Sequence, residues 1–116
     1  MDFCSIIGTT LRSRIIPQNI PVAGIDVSKA KSDFCILDTA NNIIRRGVVQ
    51  HTHDSMTAFL KIISDASEKL GAKPIFIMEA TAHYHRILYK QLVDNGYTVI
   101  VINPIQSGSI RNMSTK

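Results

Sequence analysis

The sequence predicts an α/β fold, a mixed β-sheet with helices packed on it. Three observations carry that prediction. Of the 116 residues, 45% are hydrophobic and 19% charged, which is the composition of a chain that builds a core rather than a disordered one. Residues 21–51 hold short apolar runs separated by turn chemistry, the pattern of consecutive hairpins. Beyond them, apolar runs alternate with segments of helical period, the pattern of strand–helix–strand crossovers.

Each element follows from its own residues. Residues 1–20 have no clear period and are punctuated by Pro17 and Asn19, so they read as a loosely structured leader. VAGIDVS, beginning at Val22, is a short apolar run bounded by Pro21 and the polar SKAKS, and reads as a first strand. SDFCILD (32–38) alternates, with Phe34, Ile36 and Asp38 on one face and Asp33, Cys35 and Leu37 on the other. TANN then supplies a turn, because Asn tolerates positive φ. IIRRGVVQH (43–51) reads as a third strand, closing an antiparallel meander.

The period then changes. In DSMTAFLKIISDASEKLG, residues Met56, Phe59, Leu60, Ile63 and Leu70 fall on one helical stripe. Thr52 or Asp54 is placed to cap its start, and Gly71 to end it. KPIFIMEA is a continuous apolar run, the mark of a strand covered on both faces. A second helix is expected over residues 83–95, with Tyr84, Ile87, Leu88 and Leu92 on one side and Asn95-Gly96 as its stop. YTVIVINP is a further buried strand, closed by Pro104. The order is β-β-β-α-β-α-β, in one domain of residues 21–116.

Bulk chemistry excludes several classes. The net charge of +4 permits a polyanionic partner, but the basic residues are dispersed and form no block. Two cysteines, Cys4 and Cys35, lack metal or redox spacing, and a reducing cytoplasm fits them best. The N-terminus is a poor signal peptide, and no run is long enough to span a bilayer. There is no G-x-G-x-x-G or G-x-x-x-x-G-K-[ST]. His51/His53 and His83/His85 form two H-x-H pairs without the further ligands of a zinc motif, and His51 and His53 read as a solvated loop.

Asp26 and Glu79 stand apart from the other acids. Each carboxylate sits within or behind an apolar strand, which is costly unless it is paired, hydrogen-bonded or bound to metal. If their strands are parallel neighbours, the two could share one divalent cation. Carboxylate oxygens suit Mg²⁺ or Mn²⁺, which assist phosphodiester chemistry. The residues alone leave a plainer reading equally open, in which both acids simply end strands and Glu79 favours the N-terminus of the next helix.

GIDVSKAKSDFCILD (24–38), followed by MEATAHYHRILYKQL and GYTVIVINP, resembles the N-terminal domain of the Piv-like, DEDD-type bacterial insertion-sequence transposases. The resemblance spans about residues 21–116 and rests on the pairing of G-I-D-V-S-K with E-x-T-x-x-Y. It implies an RNase H-like (RuvC-like) fold with the first and fourth strands adjacent. It implies that Asp26 and Glu79 are the first two catalytic, metal-binding acids, with Mg²⁺ or Mn²⁺ as cofactor. In the family a D-x-x-D pair supplies the third and fourth acids, about where Lys116 ends this sequence, and a further domain carries a catalytic serine. Ala82 stands where the family pattern has Gly.

The implied function is DNA transposition by a site-specific recombinase. The implied partners are DNA, an element-encoded guide RNA and, at full length, further copies of the chain, in the cytoplasm with no membrane contact. Residues 1–116 alone are expected to be catalytically inactive. A different class remains as an alternative: a non-catalytic nucleic-acid-binding or oligomerising remnant. An actin- or sugar-kinase-like phosphate-binding domain also opens with G-I-D, but Val27 and Ser28 stand where that group places glycine.

Overall fold

The computed structural model describes residues 19–79 and 84–102. Five strands form one sheet: β1 (Val22–Val27), β2 (Lys31–Leu37), β3 (Ile43–Gln50), β4 (Ile75–Glu79) and β5 (Val99–Ile102). Two helices, α1 (His53–Leu70) and α2 (His85–Asp94), separate the last three strands, so the element order is the expected one. The spatial order is β3-β2-β1-β4-β5. β1, β2 and β3 pair antiparallel, whereas β4 lies parallel to β1 and β5 parallel to β4.

This topology explains the two layers. Both crossovers, β3–α1–β4 and β4–α2–β5, step in the same direction across the sheet. Right-handed crossovers that step the same way put their helices on the same face. The main core is accordingly one-sided. Ala23, Ile25, Val27, Phe34, Ile36, Val49, Phe76 and Met78 of the sheet meet Met56, Phe59, Ile63 and Ala66 of α1 and Leu88 and Leu92 of α2. Alternation sends Val22, Leu37, Ile77 and Ile102 to the other face, where they form a second, smaller cluster with Ile75 and Ile100.

Local chemistry sets the element ends. Thr52 is the cap of α1: its Oγ1 accepts from the Ser55 N–H at 3.3 Å, so Thr52 rather than Asp54 does this work. Gly71 ends the helix at φ 74°, and the Gly71 and Ala72 N–H groups return to the Glu68 and Ser67 carbonyls. Asp38 organises the β2–β3 turn, where its Oδ1 accepts from the N–H groups of Ala40 and Asn42, both at 2.9 Å. Asn41 takes the positive φ of 65° that the TANN turn called for.

Three expectations change. α2 begins at His85, and residue 83 lies outside the described residues. Ile87 is 56% exposed, not part of the core side. Residues 84, 88 and 92 keep to one stripe at i, i+4 spacing, and Ile87 falls about 100° from its centre at 100° per residue. Cys35 is buried and is disulfide-bonded, where the sequence favoured reduced cysteines.

Candidate metal centre

Asp26 is the fifth residue of β1 and Glu79 the last of β4. The two strands are hydrogen-bonded neighbours in parallel register, Val22↔Ile75, Ala23↔Phe76, Gly24↔Ile77 and Ile25↔Met78. One step further along that register sets Asp26 beside Glu79. Alternation from Val22 and Ile77 puts both carboxylates on the face away from the helices. Neighbouring strands lie about 4.8 Å apart. The two acids therefore share a face, an edge and a strand junction, at the carboxyl ends of parallel strands, where open α/β sheets bind ligands. Asp26 is exposed and Glu79 half-buried, so solvent ions reach the pair.

The structure adds an acid that the sequence reading assigned to an ordinary surface. Asp33 stands directly opposite Asp26 in the β1–β2 hairpin and is exposed on the same face. Its period-2 position was legible, but its partner depended on the hairpin register, which the polar SKAK connection does not specify. Among the described residues, no group of three or more His, Cys, Asp or Glu side chains converges as a metal-holding cluster. What the geometry presents is two carboxylates, Asp26 and Glu79, on neighbouring strands, both hard oxygen donors. Such donors suit Mg²⁺ or Mn²⁺, which keep several waters.

The neighbouring loop is built from within. The Ser28 hydroxyl donates to the Lys31 carbonyl at 2.6 Å, and the Ser28 N–H donates to the same oxygen at 3.0 Å, closing the β1–β2 connection. These bonds make Ser28 part of the strand-end loop. Lys29 and Lys31 stay exposed at this edge.

The histidines separate. His53 opens α1 and is exposed, whereas His51 is half-buried, with Nε2 2.8 Å from the Oγ of fully buried Ser32. The solvated-loop expectation is therefore corrected for His51: it gives the buried Ser32 hydroxyl its partner, as a buried polar group requires. His85 is half-buried at the start of α2; His83 and Ala82 lie outside the described residues. Tyr84 packs against the main core, as its place on the helix stripe indicated.

A family model described as a transposase, of the DEDD type in the IS110 group, matches residues 23–116. The chain belongs to this transposase family. The match includes the described strands from Ala23 onward, both helices and both carboxylates. No curated protein matches the transposase chain. Solved structures similar to it include a ROK hexokinase from Thermus thermophilus, at 16% identity and a TM-score of 0.43 over 72% of this chain. They also include an exopolyphosphatase from Cytophaga hutchinsonii, at 9% identity and a TM-score of 0.41 over 72% of this chain. The chain spans 34% of the length of each, and likeness at this level carries no argument about function. Among the described residues, no helix is long and apolar enough to cross a membrane.

Proposed function

We propose that the chain is the N-terminal, RNase H-like domain of a DNA transposase and that Asp26 and Glu79 are its first two metal-binding catalytic acids. The supporting observation is the parallel β1–β4 register, which sets these two acids side by side on one face at the carboxyl ends of their strands. Family membership supports DNA as the substrate and a divalent cation as the cofactor. Bound there, Mg²⁺ or Mn²⁺ would supply Lewis-acid stabilisation of charge on phosphate oxygens and activation of an attacking oxygen.

The chain's own residues do three things in this reading. Asp26 and Glu79 provide hard, anionic oxygen donors from two rigid strands, which fixes their separation better than a loop would. The apolar run behind them, Ile77 and Met78, holds β4 in place beside β1, since both side chains are fully buried. Exposure of Asp26 leaves the pair open to a phosphate backbone. Element-encoded guide RNA, further copies of the full-length chain and the cytoplasm are the partners and setting of this proposal. Residues 1–20 are a leader and residues 21–116 the transposase domain.

Two carboxylates fill only part of the shell that two-metal strand chemistry uses. The 116-residue chain by itself is therefore expected to bind Mn²⁺ weakly and not to cut DNA. Millimolar Mn²⁺ should raise the melting temperature of the wild type and leave Asp26→Asn and Glu79→Gln unmoved. An equal rise in all three proteins would remove these residues from the site. Metal-dependent cutting of element-end DNA that disappears in Asp26→Ala would overturn the expectation of inactivity.

A further inference from the structure

Among the described residues β3 is an outer strand of the sheet, paired only with β2, and six of its eight residues are exposed. Such an edge presents a row of main-chain N–H and C=O groups to any strand that comes beside it. The register with β2 runs unbroken from Arg45↔Ile36 to Gln50↔Lys31. Before that, Ile44 is the extra residue of a bulge opposite Ile36 and Leu37. A regular strand would send neighbouring side chains to opposite faces, but Ile44 and Arg45 both line one groove between β3 and α1. Ile62, Asp65, Ala66 and Lys69 of α1 complete it, around a volume of about 280 Å³. The groove therefore combines an apolar floor of Ile44, Ile62 and Ala66 with two cations and one acid. Arg46 is exposed on the other face of the strand, opposite Cys35 in the β2–β3 register.

We propose that β3 and this groove dock an extended, acidic segment of another protein, which adds to the sheet as a further strand beside Arg45–Gln50. The main-chain row of an edge strand is matched by another main chain, and the apolar floor by aliphatic side chains. A sugar-phosphate backbone supplies neither. Charge then selects among strands. A second copy of β3 laid antiparallel against the first would bring the Arg45–Arg46 pairs of both copies together, and like charges across a ladder repel. Carboxylates on an added strand instead meet Arg45 and Lys69 in the groove and Arg46 on the far face. The groove opens on the helix side of the sheet, away from the face that carries Asp26 and Glu79, so the two sites are separate.

A fluorescein-labelled peptide, Val-Glu-Glu-Val-Val-Glu-Glu, is the probe, because when extended it carries both valine and glutamate on each face. Titrated with the 116-residue chain and followed by fluorescence anisotropy, it should bind saturably. The version with lysine in place of glutamate should bind about tenfold more weakly or worse. Arg45→Glu combined with Lys69→Glu should reverse that preference, and its binding of the lysine peptide would show that the variant is folded. N-methylation of the peptide at its odd or its even positions tests the strand itself on the wild-type protein. Alternate N–H groups of an added strand point toward β3, so one methylated set should abolish binding and the other leave it largely intact. Equal binding of both charge versions, equal loss from both methylated sets, or no binding by the wild type would overturn the proposal. Binding of a single-stranded oligonucleotide that the double variant loses, with no binding of the peptide, would make this edge a phosphate surface instead.

Discussion

Ser32 is fully buried on the helix face of β2, and its Oγ lies 2.8 Å from His51 Nε2. Replacing it by alanine deletes the hydroxyl and leaves the imidazole nitrogen short of a partner in a half-buried position. Ser32→Ala should cost about 1 kcal/mol in a urea unfolding titration, the usual net worth of such a bond. A loss below a few tenths would mean that water replaces the hydroxyl there. Gly47 shows a second residue-scale constraint. A Cβ at Gly47 would fall 2.8 Å from Phe34 Cζ, and that ring also packs against Phe59 at a centroid distance of 4.8 Å. Phe34 therefore cannot retreat freely, and Gly47→Ala should destabilise by about 1–2 kcal/mol. An unchanged melting temperature would show that the aromatic pair adapts. Asp26 and Glu79 stood out in the sequence because a carboxylate in an apolar run is conspicuous in one dimension, whereas these contacts were not legible there. The Ser32–His51 and Gly47–Phe34 contacts join residues 19 and 13 positions apart in the chain, through a register that composition does not encode.

Elements were more legible than contacts, and α1 shows why. Its 18 residues repeat the apolar stripe often enough to fix both period and face, and Met56, Phe59 and Ile63 are buried where the stripe put them. The ten residues of α2 give fewer repeats, so Ile87 was assigned to the wrong side. β3 was found as a strand, but its place at the sheet edge was not. Ile43 and Val48 are 47% and 52% exposed there, and Arg45 and Arg46 lie between them, the kind of charge that discourages edge-to-edge pairing. The register shift at Ile36/Leu37, where β2 meets β3, has no signature in the sequence either. The terminator of α1 offers a direct test at this scale. Gly71 adopts φ 74°, and although a Cβ there meets no atom within 4 Å, the backbone conformation itself penalises it. Gly71→Ala should cost about 1 kcal/mol of stability while leaving the helical circular dichroism intact; a stabilising effect would mean that the helix end relaxes out of the left-handed region.

The whole molecule places opposite charges at one edge. Asp26, Asp33 and Glu79 point off the same face, and a phosphate backbone approaching them meets repulsion that basic groups must offset. Lys29 and Lys31, exposed on the β1–β2 connection, are the cations closest in sequence to that edge. The chain's net charge is only +4, with its basic residues dispersed, so binding should engage few phosphates. Labelled duplex DNA, titrated by fluorescence anisotropy between about 50 and 200 mM salt, should give a log–log slope of about −2 to −4. Replacing Lys29 and Lys31 by glutamate should flatten that slope by about 1–2 and weaken binding across unrelated sequences, as expected for phosphate contacts. Lys61→Glu, on an exposed position of α1, changes net charge at a site the helix layer separates from the carboxylates, and should act far less than the pair. Equal losses from both variants would mean that binding follows net charge and not this edge. No binding to DNA at low salt would count against the nucleic-acid reading of the domain. Binding of single-stranded RNA with the same salt slope, unaffected by Asp26→Asn, would favour a non-catalytic nucleic-acid module over a site in which the carboxylates meet the strand.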